Sequence, residues 1–415
     1  IRQKSFGWIL TARFKGSSMK LNFYIGILLL ILTASVANAT PPKLVLQITV
    51  DGLRADLLNR YSDNFGKGGF SRLMREGAVF TNAHYLHANT ETIVGHTTLA
   101  TGATPAVHGM VGNVWYHADS GELGYNIEDP EAPLLPTRDN AMQAAQVDPA
   151  QKRARSNGRS PRAILAPTLA DTLLMSRPGE ARVFGPSSLE NEDIVLQLDS
   201  TLADLLSYVD KTVGLEDTLI VLSADHGMAE MPEYATERGY PAQRLFSHQV
   251  LKEARAFAGE KYGDESLIRE FFRPYLYLDA ERLAKKALSR DEVTLALANA
   301  LIRREGIRAA VPSSEASALG EMAVAHNHHR KRSGDLYIYP EPYWFLFDKG
   351  PIGVMHGSPW AYDQHVPMIF AGPGVAQGRY NRRVHPIDVA PTLAALLGIS
   401  APAAAEGSAL EEALR

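Results

Sequence analysis

Residues 44–52 read LVLQITVDG, a run of apolar and β-branched side chains that stops on a carboxylate. Six such residues among seven, broken only by Gln47, predict a strand over 44–50, buried on both faces of a parallel sheet, with Asp51 at its carboxyl end. The same grammar recurs over 219–223 (LIVLS), which leads into Asp225-His226-Gly227. It recurs again over 366–370, ahead of the turn Ala371-Gly372-Pro373-Gly374.

Helical patterns separate these runs. Ile194, Leu198, Leu202, Leu205 and Val209 recur at helical spacing, with Ser187 and Glu190 placed as a capping box. Asp193 and Asp199 then read as solvent-facing charges. Pro167 suits the first turn of a helix running through Leu173. Strands alternating with helices predict an α/β fold, a largely parallel sheet sandwiched by helices, in which ligands gather beyond the carboxyl ends of the strands. Asp51 and the Asp225-His226 pair both stand at such ends. Over about 243–348 the pattern shifts to YLYLD at 275–279, a helix around 291–304, an apolar stretch at 307–311 and a run at 335–347, which predicts a smaller α+β insert. Residues 142–162 are polar and punctuated by Pro and Gly, as in a surface loop.

The 415 residues are 45% hydrophobic and 21% charged, enough apolar mass for a large core, and the net charge of −4 argues against a nucleic-acid-binding surface. Phosphate recognition, if any, has to be local. With no cysteine, thiolate nucleophiles, Cys-ligated zinc and disulfides are all excluded, so chemistry falls to hydroxyls, carboxylates and imidazoles. Residues 19–39 (MKLNFYIGILLLILTASVANA) have the form of a signal peptide: Lys20, an apolar run over 23–32 and a small-x-small site at Ala37-Asn38-Ala39. Export to the periplasm or beyond is expected, with residues 1–18 as translated upstream sequence and 40–415 as one catalytic domain carrying the insert. The apolar run falls short of the ~20 residues of a membrane span, so membrane attachment is expected only if the segment is kept as an anchor.

Asp51, Asp225 and His226 offer the hard-oxygen and imidazole ligands that Zn²⁺ accepts where thiolates are absent. Singly, each would pass for a cap or turn residue. The stretch NTETIVGHTTLATGATPAVHGMVG, 89–112, starts a helix at Thr92 and ends it at Gly102. A hydroxyl there lies at the positive end of a helix dipole, which favours an alkoxide and a phosphate alike. Taken alone, Thr92 could equally be an N-cap.

In order along the chain, DGLRADLL from Asp51, TIVGH from Thr92, TGATPAVHGMVGNVWY ending at Tyr116, SADHGM around Asp225, MHGSPWAYDQHVP around His356 and DVAPTLAALLG from Asp388 resemble the alkaline phosphatase superfamily. The chain looks most like its secreted threonine-nucleophile phosphatases, relatives of the type I phosphodiesterases and nucleotide pyrophosphatases. The resemblance implies a phosphate monoesterase acting on small phosphorylated substrates through a phosphothreonine at a two-zinc site. Thr92 resembles the nucleophile and Asn113 the residue that holds a phosphate oxygen. Asp51, Thr92, Asp225 and His226 resemble the ligands of one zinc, and His356 one ligand of the other. A phosphodiesterase or nucleotide pyrophosphatase is the alternative reading, and a non-catalytic remnant binding one metal or phosphate is a third. Oligomeric state is not legible.

Two departures stand out. Where the family carries the Asp and His of its second zinc, ahead of a Gly-Pro-x-Ser segment resembled by Gly185-Pro186-Ser187, this chain has Pro178 and Arg182. The family's intervening stretch, including a strand followed by a Lys-x-Arg pair, is missing, so an internal deletion near 176–185 and an incomplete second zinc site are expected. His96 and His108 read as packing or hydrogen-bonding residues, His365 as at most a support for the site, and His326, His328 and His329 with Arg330, Lys331 and Arg332 as a solvated turn.

Overall fold

The computed structural model describes residues 41–117, 121–133, 154–156, 158–183, 195–347 and 353–414. The chain divides into two units, Ile1–Pro41 and Pro42–Arg415, and every helix and strand named below lies in the second. The signal-peptide segment, Asp193 and the proposed Ser187–Glu190 cap lie outside the described residues.

In chain order, the elements that build and carry the site are β1 (Leu44–Thr49), α1 (Ala55–Arg60), α2 (Phe70–Glu76), β2 (Ala78–His84), α3 (Thr92–Thr101), α4 (Leu169–Ser176), α5 (Val195–Thr212) and β3 (Thr218–Ser223). Beyond β3 come α6 (Ser247–Tyr262), β4 (Ile268–Phe272), β5 (Tyr275–Leu278), α7 (Arg290–Leu301), β6 (Ile307–Pro312), β7 (Leu336–Pro340), β8 (His365–Ala371), β9 (Gly378–Tyr380) and α8 (Val389–Leu397).

The main sheet has the order β1-β3-β8-β2-β9. β1 pairs parallel with β3 and β9 with β2, but β8 runs antiparallel to both neighbours. The sheet is therefore mixed, with one strand reversed. The reversal matters for the site: it brings the amino end of β8, and the segment before it, to the edge where β1 and β3 end. Successive side chains alternate between two cores. Leu219, Val221, Met368 and Phe370 face α3, α4 and α8, whereas Ile220, Leu222 and Ile369 face α1, α2 and α5. The architecture is helix, sheet, helix, the α/β class expected from the sequence.

β3 is buried throughout, as its composition predicts. β1 is not: its side chains are half-buried and Gln47 is exposed, because β1 is the sheet's outer strand and pairs only with β3. Composition alone cannot separate a central strand from an apolar strand left at an edge.

The helices also correct details. Thr168, not Pro167, opens α4, in a reciprocal capping box with Asp171. On α5, Leu202 and Val209 turn inward and Leu198 packs on the same core, as expected, but Leu205 is exposed and Leu206 takes the inward place. Asp199 is buried rather than solvated, its carboxylate accepting hydrogen bonds from Gly66 N and Phe70 N, both at 2.7 Å, ahead of α2.

Residues 244–347 form a second sheet, β6-β7-β5-β4, with helices α6 and α7 on one face around Leu267, Leu276, Leu297 and Ile338. Its other face presents Tyr275, Tyr277, Val311 and Tyr337 to Ala88, Met110, Val111 and Trp115. This braces the segment that carries the site. The short strand Arg244–Phe246 pairs parallel with Phe345–Phe347, so the two ends of this region lie side by side.

Candidate active site

The site sits beyond the carboxyl ends of β1 and β3 and the amino end of β8. Asp51 leaves β1 and Asp225-His226 leave β3. α3 lies against the latter pair because residue 95 is glycine: a Cβ there would come 1.9 Å from Asp225 O and 2.7 Å from its Cα. This close approach sets the amino end of α3 directly over the Asp225-His226 turn. Gly102, at φ 69°, closes the helix.

Thr92 is the first residue of α3, and Glu91 is the cap residue, with no capping side-chain hydrogen bond. Thr92 is thus no N-cap. Its Oγ1 lies 3.4 Å from His226 Nε2. The His226 Nδ1–H donates to Gly227 O at 2.8 Å, which turns Nε2 towards the cluster. Around that nitrogen lie Asp225 Oδ2 at 3.4 Å and Asp51 Oδ1 at 3.8 Å.

Among the described residues, Asp51, Asp225 and His226 are the one cluster able to hold a metal, with ligand atoms all within 4.8 Å of one another. The donor set fits a zinc-like dication. Ligands bound at about 2.0–2.2 Å around a tetrahedron stand about 3.4 Å apart, close to the separations found. Asp225 Oδ1 accepts from Gly52 N and His226 N, but its Oδ2 is buried without a hydrogen-bond partner. Burial, then the Asp51 carboxylate, push the Asp225 carboxyl above the usual carboxylate range. A buried, unpaired acid beside a second acid is what a bound cation relieves.

His356 completes the picture from the segment before β8. Its ring stacks on that of His226, centroids 3.5 Å apart, and its Nδ1–H donates to Thr90 O at 2.8 Å. Burial, then His226, hold it well below the ordinary histidine range, so it is neutral with Nε2 free of a proton. Asn113 is drawn in through its Oδ1, which accepts from Ile93 N at 3.1 Å. That leaves its amide NH₂ as a donor beside the start of α3.

Other residues were not legible as site residues. Glu91, only 2% exposed, accepts from Asn113 N at 2.5 Å and pairs with Arg273 Nη2 at 3.3 Å. Its position next to Thr92 was the available signal. Arg273, in the β4–β5 turn, had none. His96, one turn along α3, points Nε2 at Asp225 Oδ2 from 3.7 Å. Asp363 is buried, its Oδ2 held by Ser358 N and Oγ, and burial raises it to about 7.

Other histidines stand apart from the site. His108 is buried, accepting from Met110 N and lying 3.2 Å from Thr98 Oγ1, a packing role as expected. His365 does not support the site: it stacks on His84 and its Nε2–H donates to Thr81 O, because β8 pairs with β2 at that point. The 326–332 segment is only partly a solvated turn. His326 Nδ1 faces Leu86 O, and Arg332 is tucked over Trp115 while donating to Gly109 O and Ala163 O.

A model of the family described as "Type I phosphodiesterase / nucleotide pyrophosphatase" matches residues 45–161 and 166–359. Alkaline phosphatase PafA of Elizabethkingia meningoseptica is 25% identical over 539 residues, covering 94% of this chain and 98% of that protein. Alkaline phosphatase PhoV of Synechococcus elongatus is 22% identical over 517 residues, covering 90% of this chain and 93% of its own. The crystal structure of wild-type PafA matches with a TM-score of 0.78 at 22% identity, over 90% of this chain and 99% of that one, a likeness of fold. The PafA alignment is longer than this chain can fill: 94% of 415 residues is about 390, so about 150 of its 539 positions have no counterpart here.

Proposed function

The chain belongs to the type I phosphodiesterase / nucleotide pyrophosphatase family, and from that premise we propose that it is a metal-dependent phosphoester hydrolase whose nucleophile is Thr92. The observation that carries this reading is the Thr92 hydroxyl at the head of α3, 3.4 Å from His226 Nε2 and beside the Asp51–Asp225 carboxylates. A hydroxyl with no capping duty, at a helix amino end and among metal ligands, is placed for attack rather than for structure.

Asp51, Asp225 and His226 would hold the ion, with Thr92 as the fourth donor, and zinc is the ion proposed. Such an ion, when bound, lowers the hydroxyl pKa and screens the phosphate charge. The rest belongs to the protein. The α3 amino end attracts the phosphate dianion, and the Asn113 amide donates to a non-bridging oxygen. Thr92 Oγ forms a bond to phosphorus as the bond to the ester oxygen breaks, and the leaving alkoxide takes up a proton. Water then cleaves the phosphothreonine, returning the hydroxyl and releasing phosphate.

Small phosphate monoesters are the proposed substrates, because PafA and PhoV are alkaline phosphatases. Diesters are the second reading, favoured by the description of the family model. The proposed setting is the periplasm or the exterior, after removal of residues 19–39. The test is turnover of p-nitrophenyl phosphate against bis-p-nitrophenyl phosphate by the mature chain and by Thr92→Ala and Thr92→Ser. We expect the monoester to be preferred, Thr92→Ala to lose on the order of 10³-fold or more of kcat, and Thr92→Ser to retain a measurable part. Activity surviving in Thr92→Ala would remove Thr92 from the chemistry, and no turnover of either ester by the wild-type chain would favour the non-catalytic remnant.

A further inference from the structure

The resemblance implies two zinc ions, and the residues of this chain fit only one. Resting on the assignment of Asp51, Asp225 and His226 as metal ligands, we infer that the chain binds a single metal ion and that the second position is unbuilt.

The ligand count comes first. His356 presents a bare Nε2, yet no second group of three metal-ligating side chains exists among the described residues. Pro178 and Arg182, at the positions of the family's Asp and His, are exposed and offer no donor lone pair to a cation. The remaining candidate is Asp363, which lines the same cavity as His356 and has a buried, unpartnered Oδ1. One imidazole and one carboxylate make two ligands, where a zinc site needs three or four.

Charge comes second. The Arg273 guanidinium, its side chain only 16% exposed, lines that cavity too, with Nη1 3.5 Å from His356 O and Nη2 on Glu91. A fixed cation already occupies the neighbourhood that a second dication would need.

Topology comes third. α4 packs on one face of the sheet and α5 on the other, and no strand is described between them. β1 pairs only with β3 and is the outer strand of the main sheet. Leu174 and Met175 on α4, with Leu196, Leu205 and Tyr208 on α5, are large apolar side chains left exposed. The PafA alignment also holds about 150 positions with no counterpart in this chain.

The mature chain, stripped with chelator and titrated with Zn²⁺, should show one ion per chain by native mass spectrometry and by calorimetry. Asp225→Asn, and Asp51→Asn as a second variant, should bind none. His356→Ala should still bind one ion per chain, all variants being checked for native far-UV circular dichroism. Two ions per wild-type chain, or loss of an ion in His356→Ala, would overturn the inference. Retention of the ion by both Asp225→Asn and Asp51→Asn would instead overturn the site assignment on which it rests, and is read independently of the His356 result.

Discussion

The imidazoles of His226 and His356 lie face to face, 3.5 Å between centroids and 13° between planes, each donating Nδ1–H to a main-chain oxygen. Two imidazolium ions could not occupy that stack without strong repulsion, and each ring turns its Nε2 away from its main-chain acceptor. The carbonyls of Gly227 and Thr90 thereby fix the tautomer of each ring. Ligand geometry is thus set by backbone hydrogen bonds before any ion arrives.

Removing the ion should cost stability, because Asp51 and Asp225 then face each other with Asp225 buried. Adding Zn²⁺ at about 100 times its Kd should stabilise the chain by about 2.7 kcal/mol through linkage alone. A thermal melt with and without chelator measures this. An unchanged Tm on adding zinc would contradict the assigned ligand set.

Gly95→Ala should damage the site from its rear. The added Cβ meets Asp225 backbone, which cannot swing away as a side chain can. We expect a loss of about 1–3 kcal/mol or more in urea unfolding, together with weaker zinc binding, since α3 must lift from the ligand turn. Wild-type behaviour in both measurements would refute the close packing.

Asp199→Ala removes the acceptor for the buried Phe70 amide at the start of α2 and for the Gly66 amide in the exposed segment before it. The orphaned buried Phe70 donor costs about 1–3 kcal/mol, and a loss of that size is expected in urea unfolding. Asp199→Asn should recover part of it, and zinc stoichiometry should not change in either variant.

His87 gives a pH signature away from the ion. It is fully buried with neither ring nitrogen partnered, and burial lowers it to about 3. The folded state therefore binds fewer protons than the unfolded state below the ordinary histidine value of about 6.5. Stability supplied by this group is complete above that pH and declines as pH falls towards 3. Replacing it with leucine removes the decline. Between pH 6 and 4 the wild type should lose about 1.4 kcal/mol per pH unit relative to His87→Leu, read from paired urea titrations. Parallel pH profiles would show that His87 is protonated or solvated in the fold.

Much of this architecture was written locally. LVLQITV and LIVLS announce strands because their side chains cannot remain in water, and the carboxylates and imidazole that come after them stand at the strand ends for the same reason of chain direction. Gly102 closes its helix through the left-handed stop chemistry of many helices, whereas Thr92 opens it without acting as its cap. Whether β1 lies at the centre or the margin of the sheet was not legible, since that depends on which other strands exist. Leu205 and Leu206 differ by one step of a helix whose start the pattern did not fix. Asp199 looked solvated because its partners, Gly66 N and Phe70 N, are main-chain groups distant in sequence. Arg273 was invisible for the same reason: its meaning lies in Glu91, reached only through the second sheet.

The marginal position of β1 bears on how the ion is kept. Asp225 and His226 hang from a strand buried along its whole length and are themselves inaccessible, whereas Asp51 hangs from the outer strand with 32% of its side chain open to water. Outer strands detach at a smaller free energy than central ones. Fraying of β1 would withdraw one ligand of the cluster while the other two stay fixed, so metal escape and amide hydrogen exchange along 44–49 should share a single opening event.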